Sequence, residues 1–465
     1  MAAKIRFSVQ IWLSLPEINA EKMTKSIPQF LIAAPMSGSG KTTVSRGLMA
    51  LLKGRGLKVQ PYKCGPDYID TKFHERACGR PSVNLDLFMA SNAHVEQVYA
   101  RYAADADVCV VEGMMGMFDG YSRDRGSSAE VARLLRLPVV LVVDARSAAY
   151  SLAPLLQGFL HFRQDIRFAG VIFNRVGSPR HFEMLREVCD DLQVECLGYL
   201  PKDALLEQGS RYLGLDFSEQ ETDEAGRRLL AQLEAHVDIG RLLEVTAVPL
   251  PASRVVQNEV VGHGVVAVAR NDESFSFLYT EHLDLLRRYG DVVFFDPEQP
   301  EPLPADTRLL YLPGGYPEKH AEALKAATGT LESVRRYIEG GGRTLAECGG
   351  MIYLSQGVCL DGQPDFCPLA GVLPFSISNR KEHRKLSLGY RRFDYNGQTL
   401  RGHEFHYTQF VERAGEHLWP SAAQVYNAKG QPVDTPVFRY KNLLASYTHL
   451  YWGETDLDKL FENEQ

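Results

Sequence analysis

Residues 30–43 read Phe-Leu-Ile-Ala-Ala-Pro-Met-Ser-Gly-Ser-Gly-Lys-Thr-Thr, an apolar run that stops at a proline, passes through small residues and ends on Gly-Lys-Thr. A buried strand, a turn of small residues and a helix start together form the local pattern of a phosphate cradle. Main-chain N–H groups wrap the anion, the helix N-terminus faces it, a Lys reaches the terminal phosphates and a hydroxyl reaches Mg²⁺. Gly38, Ser39, Gly40, Lys41, Thr42 and Thr43 are the residues expected to bind nucleotide, with ATP as co-substrate and Mg²⁺ as cofactor. The strict pattern has Gly where Pro35 stands, which departs from the motif without removing the wrapping amides. Partitioning-type ATPases carry a second Lys five residues before the first; Met36 occupies that place and speaks against a DNA-partitioning role.

Downstream of this loop, helical patterns alternate with the apolar runs KVQPY, VCVVEG, PVVLVVD, AGVIFN and VECLGYLP. Near-continuous apolar runs of this length are strands buried on both faces, as in a parallel sheet covered by helices. Residues 239–259, which contain Pro249 and Pro251, read as an extended linker. The alternation then restarts with GVVAVARND, DVVFFDP, TRLLYLPGG and RTLAECGG. The expected fold is therefore α/β with two domains, each a mostly parallel sheet flanked by helices. A nucleotide-binding domain spans 30–238 and a second domain 260–465, after an N-terminal extension over 1–29. The residues before Met23 are expected to be dispensable, with Met23 as an alternative start.

The composition suits two such cores. Of 465 residues, 45% are hydrophobic and 23% charged, and the formal net charge is -7, which disfavours nucleic-acid binding as the main activity. Eight cysteines lack metal-ligand spacing, as expected of reduced thiols. No apolar run reaches the ~20 residues that span a bilayer, so a cytoplasmic protein without membrane partners is expected, with a homodimer as a candidate assembly.

Acidic residues follow the next strands: Asp67 in Gly65-Pro66-Asp67-Tyr68-Ile69-Asp70, and Glu112. Ligands of open α/β sheets bind at the C-terminal strand ends, and Mg²⁺ prefers oxygen donors. Thr42, Asp67 and Glu112 are thus candidate metal ligands, although each acid alone also suits a helix cap or turn. Asn174 closes the strand GVIFN and is a candidate for reading the nucleotide base.

In the C-terminal half, Arg343-Thr344-Leu345-Ala346-Glu347-Cys348-Gly349-Gly350-Met351 reads as a strand turning sharply into a helix, a geometry that exposes a nucleophile beside free amide donors. Cys348 is the candidate nucleophile and His449 its candidate base. Gly349 and the pair Gly314 and Gly315 are candidate oxyanion donors. His403 and His406 are read as lying on one face of one strand, in a structural or substrate-proximal role.

In order along the chain, APMSGSGKTT, YKCGPDYIDTKFH, VVEGMMGMFDG, GVIFNRVGSPRH, LPGGYPE, AECGGMIYL, GHEFHY and SYTHLYW resemble the cobyrinic acid a,c-diamide synthase family. The resemblance implies a dethiobiotin synthetase-like domain joined to a class I glutamine amidotransferase domain. It implies that glutamine is hydrolysed at Cys348 and that ammonia is passed to a carboxylate of a tetrapyrrole phosphorylated by ATP, in cobalamin synthesis. The a and c carboxylates of cobyrinic acid are the expected targets, with hydrogenobyrinic acid or a nickel sirohydrochlorin as alternatives. The same resemblance implies that Tyr68, Ile69, Asp70 and Asp119 lie near the substrate carboxylate. Two departures stand out. His449 is followed by Leu450-Tyr451 where ordinary class I amidotransferases have His-x-Glu, a lack the resembling family shares. Tyr212 stands where the family commonly has His.

Overall fold

The computed structural model describes residues 25–209, 223–251, 262–363, 366–411, 413 and 415–462. Tyr212 and most of the N-terminal extension, including Met23, lie outside them.

The first unit is built on strands β1 (Ser26–Ala33), β2 (Val59–Cys64), β3 (Val83–Leu85), β4 (Val108–Glu112), β5 (Val139–Asp144), β6 (Phe168–Val176), β7 (Cys196–Pro201) and β8 (Ala247–Pro249). Their order across the sheet is β3-β2-β4-β1-β5-β6-β7, with β8 pairing β1. All neighbours on that path run parallel. Two apolar clusters cover the two faces, one around Leu31, Tyr62, Tyr99 and Leu141 and the other around Phe30, Leu48, Val110 and Ile172. Alternating residues of β1 thus enter opposite cores, the period-two rule of a strand covered on both sides.

Helix α1 (Lys41–Gly54) follows β1, and α2 (Asp70–Cys78) follows β2. Both begin at the C-terminal edge of the sheet, where the acidic ends of β2 and β4 also lie. This places the phosphate-loop helix beside the carboxylates.

Two boundaries differ from expectation. The sheet begins at Ser26 rather than Phe30. The stretch read as an extended linker from residue 239 instead opens with a helix, Ile239–Val245, followed by β8. Ile239 and Leu242 are buried in the first core, and β8 lies antiparallel to the start of β1, with Ser26 opposite Pro249. Prolines suggested an open chain, yet a short strand at a sheet margin tolerates a missing N–H.

The second unit carries strands β9 (Val265–Ala269), β10 (Asp291–Phe295), β11 (Thr307–Leu312) and β12 (Arg343–Glu347), ordered β10-β9-β11-β12 and extended by Leu443–Ser446 and then by antiparallel Val437–Tyr440. A separate antiparallel sheet pairs Ser387–Tyr395 with Gln398–His406, and the latter with His449–Leu450. The two units meet over polar contacts: Tyr390 donates to Asp86 at 2.6 Å, Thr280 to the Ser82 carbonyl at 2.7 Å, and Arg101 pairs with Glu281 at 3.0 Å. Among the described residues, no helix is long and apolar enough to cross a membrane.

Candidate active sites

The phosphate loop turns on two residues in the left-handed region, Gly38 (φ 78°) and Gly40 (φ 98°). At Gly40 a side chain is excluded twice, by φ and because a Cβ would fall 2.0 Å from Asn174 Nδ2. Asn174 is itself buried; its Nδ2 donates to the Ser39 carbonyl at 2.9 Å and its Oδ1 accepts from Arg175 N. The side chain expected to read the base is thus engaged in holding the loop. Beside the loop opens a cleft of about 460 Å³ lined by Pro35, Met36, Ser39, Asp144 and Arg146.

Lys41 and Thr42 start α1, with Thr43 in the same turn. Lys41 Nζ donates to the Met115 carbonyl, and burial together with the neighbouring Lys63 charge lowers its affinity for its proton. Thr42 Oγ1 donates to Glu112 Oε1 at 2.6 Å. Glu112 is fully buried, and its other oxygen meets His74 Nε2 at 2.7 Å while His74 Nδ1 meets Ser82 Oγ at 3.0 Å. Lys63 Nζ lies 3.3 Å from Glu112 and 2.8 Å from Asp70. Burial works against both charged forms, but the attraction between them wins. The Lys63 ammonium is held well above its ordinary pKa, and the Glu112 carboxyl falls below the usual range.

Lys63 and His74 carry no site role in the sequence motifs that contain them. Their signal was a lone Lys in an otherwise buried strand, which has to meet a carboxylate when it folds inward.

Asp67 takes the turn role that its type allows. Its Oδ1 accepts from the N–H groups of Ile69 and Asp70, both at 2.8 Å, opening α2. Asp119 Oδ2 accepts from Gly116 N at 2.9 Å. Thr42 and Glu112 present hard oxygens side by side next to the phosphate cradle. Mg²⁺ in nucleotide sites is commonly held by one or two such groups plus substrate phosphates, so the donor set fits that ion.

In the second unit Cys348 sits between β12 and the helix Gly349–Leu354 with φ 45° and ψ −102°, a conformation sparsely populated by non-glycine residues. Neighbouring structure holds it there. Its N–H donates to the Ser446 carbonyl at 2.7 Å, and its carbonyl accepts from Ile352 N at 2.9 Å. A Cβ at Gly350 would approach the Leu312 carbonyl to 2.0 Å, and one at Gly349 would lie 2.9 Å from Gly315 N. The backbone of Gly315 therefore lies against Gly349, as two oxyanion donors require. Gly314 accepts from Ser276 and Phe277 through its carbonyl, while its Cα faces the imidazole: a Cβ there would reach His449 Cε1 at 2.1 Å.

His449 follows the strand Leu443–Ser446, the parallel neighbour of β12, so base and nucleophile emerge from adjacent strand ends. The His449 ring is buried, and burial pushes its pKa down to about 3. Nδ1 has no hydrogen-bond partner among the described residues. Burial raises the Cys348 thiol well above its ordinary value, with Glu318 and Glu404 adding to the effect. Burial thus favours the neutral form of both groups. Glu318, unforeseen from sequence, has one oxygen without a partner among the described residues, and burial lifts its pKa to about 7.

His403 and His406 do not share a face. Three residues apart in one strand, they point to opposite sides. His406 stacks on Tyr447 with centroids 3.6 Å apart and meets Glu404 at 2.7 Å; His403 lies opposite His449 in the register. Glu404 also accepts from Arg391 and from Thr435. Tyr68 is buried against Phe277, Tyr279 and His449 of the second unit.

Two family models match the chain. One describes a CobQ/CobB/MinD/ParA nucleotide binding domain and covers residues 30–214; the other describes a CobB/CobQ-like glutamine amidotransferase domain and covers residues 265–457. The chain is 37% identical over 436 residues to a cobyrinate a,c-diamide synthase of Caldanaerobacter subterraneus subsp. tengcongensis, covering 90% of this chain and 94% of that protein. It is 38% identical over 444 residues to a cobyrinate a,c-diamide synthase of Syntrophotalea carbinolica, covering 92% and 96%. It is also 39% identical over 437 residues to a hydrogenobyrinate a,c-diamide synthase of Brucella suis biovar 1, covering 90% and 98%.

Proposed function

Since the chain belongs to the cobyrinate a,c-diamide synthase family, we propose that it amidates the a and c carboxylates of cobyrinic acid, using ATP and glutamine, in cobalamin biosynthesis. The observation that carries this reading is the presence on one chain of a phosphate cradle and a strained cysteine turn, joined through an interface of hydrogen bonds and packed aromatic rings. Relatives named for hydrogenobyrinate are as similar as those named for cobyrinate, so hydrogenobyrinic acid is the second macrocycle to test.

In the glutaminase half, His449 takes the Cys348 proton as sulfur attacks the glutamine amide, and the amides of Gly315 and Gly349 receive the developing oxyanion. The proton passes to the departing nitrogen, ammonia leaves, and water releases glutamate from the thioester. Burial disfavours both the thiolate and the imidazolium before glutamine binds, so proton transfer accompanies sulfur attack rather than preceding it.

In the synthetase half, the loop around Gly38–Gly40 and Lys41 holds the ATP phosphates. Thr42 and Glu112, with Asp67 nearby, would hold Mg²⁺, which supplies charge neutralisation on the phosphates. A substrate carboxylate oxygen attacks the terminal phosphorus, ADP leaves, and ammonia displaces phosphate from the acyl phosphate to give the amide. Asp70 and Asp119, with Ile69, flank the place where the carboxylate would lie. Asp70, paired with Lys63, keeps an ammonium among the acids that an incoming anion can meet.

The test is mass spectrometry of cobyrinic and hydrogenobyrinic acid after incubation with ATP, Mg²⁺ and glutamine. One or two carboxyl-to-amide substitutions that require all three are expected. An unchanged macrocycle in both cases overturns the reading.

A further inference from the structure

His449 lacks the carboxylate that normally orients such a histidine, and its Nδ1 has no hydrogen-bond partner among the described residues. Something else has to fix the plane of the ring, because an imidazole free to rotate spends little time aimed at the thiol.

Three surfaces close on it. Gly314 approaches the Cε1 and Nδ1 edge so closely that a methyl group would overlap it. Phe277 lies with its centroid 5.7 Å away. The third is Tyr68, at 5.3 Å and tilted by 46°. Gly314 and Phe277 belong to the amidotransferase half; Tyr68 comes from the synthetase half, two residues before α2. It is not a loose side chain. Its ring stacks on Phe277 at 5.1 Å and 12°, and packs 4.6 Å from Tyr279.

We propose that Tyr68 is a positioning residue for His449, so that the glutaminase base is held in place by the synthetase domain. The inference rests on reading Cys348 and His449 as the glutaminase pair. In place of a carboxylate that orients the imidazole through Nδ1, packed rings orient it by shape, and one of them is contributed by the other domain.

The location of Tyr68 adds a consequence. It lies in the turn between Asp67, which caps α2, and Asp70, which pairs with Lys63 at 2.8 Å; Lys63 in turn lies 3.3 Å from Glu112, the partner of Thr42. The residue that fixes the glutaminase base is thus built into the acidic turn that faces the synthetase chemistry. A chain cut between its domains would lose this wall of the histidine site.

The full chain carrying Tyr68→Ala is compared with Tyr68→Phe, Cys348→Ser and the unaltered chain. Glutamate release is measured against glutamine concentration, and the melting temperature of each chain is measured alongside. For Tyr68→Ala, kcat for glutamate release falls by about tenfold to a hundredfold, as expected for a displaced catalytic group, while KM for glutamine stays near the unaltered value. Tyr68→Phe, which keeps the stacked ring, restores glutamate release. An unchanged melting temperature shows that the alanine chain is folded. Unchanged glutamate release in Tyr68→Ala overturns the inference, as does a change in KM alone. Failure of Tyr68→Phe to rescue overturns positioning by the ring. If the unaltered chain releases no more glutamate than Cys348→Ser, the glutaminase reading falls and takes this inference with it; every other adverse outcome strikes the inference alone.

Discussion

The two chemical centres of this molecule are organised on opposite principles. Around Glu112, charge is matched by charge: Thr42, Lys63 and His74 occupy its two oxygens, and Lys63 is shared with Asp70. Around Cys348 two buried polar atoms, Nδ1 of His449 and one oxygen of Glu318, have no partner among the described residues, and geometry is set by glycines and rings. A site that binds polyanions needs fixed, compensating charges before its ligand arrives, since assembling them afterwards would cost reorganisation. A site that breaks a neutral amide gains from dryness, which keeps the imidazole unprotonated. The first centre should therefore be sensitive to the loss of charge and the second to small errors of shape.

Four measurements would break or sharpen this contrast. The largest effect is expected for Cys348→Ser: glutamine-supported amidation should fall by at least ~10⁴-fold, as when a covalent nucleophile is removed, while ammonium-supported amidation continues. Equal loss by both routes would mean that the centres are not separate. Next, Lys41→Ala should reduce amidation from either nitrogen source by roughly 10²–10³-fold, the scale for one preorganised charge-stabilising contact; normal ammonium-supported turnover would remove Lys41 from the synthetase site.

Shape is probed by Gly314→Ala, whose methyl would fall 2.1 Å from His449 Cε1. Displacing the ring should cost the glutamine route about 10²-fold and spare the ammonium route, and an unaffected glutaminase would show that this packing is slack. The smallest effect concerns the resting thiol. Because burial raises the Cys348 pKa, the thiol stays protonated as pH rises through the ordinary cysteine value. Its alkylation by iodoacetamide should climb about tenfold per pH unit up to and beyond pH 9. A plateau below pH 8 would reveal a preformed thiolate–imidazolium pair.

Much of this arrangement could be read from local sequence, because each motif sits where a strand ends and a helix begins. Gly38–Thr43 and Cys348–Gly350 were visible for that reason. What escaped depends on contacts distant in the chain. Lys63 looked like an interruption of a buried strand, and only folding brings Glu112 and Asp70 around it. Asp67 offered two roles, and only the folded turn shows its Oδ1 accepting from the N–H groups of Ile69 and Asp70. Tyr68 gave no local sign of a contact across the domains, yet its ring reaches Phe277 and Tyr279, more than two hundred residues away. The linker was misread because Pro249 and Pro251 signal an open chain unless the margin of a sheet is nearby, and the start of β1 provides that margin. His403 and His406 are close in sequence, but three positions along a strand of period two set them on opposite faces.

The short pairing of β8 with the start of β1 has a further meaning. Ser26 lies opposite Pro249, and Leu250 N bonds to the Lys25 carbonyl at 3.1 Å, so the first domain is entered and left at the same seam. A module whose doorways adjoin can be spliced in front of, behind or within another protein without stretching either partner. It is a portable cassette, zipped shut by its own first and last strands, and its fusion to an amidotransferase needs no more than a short tether at that seam.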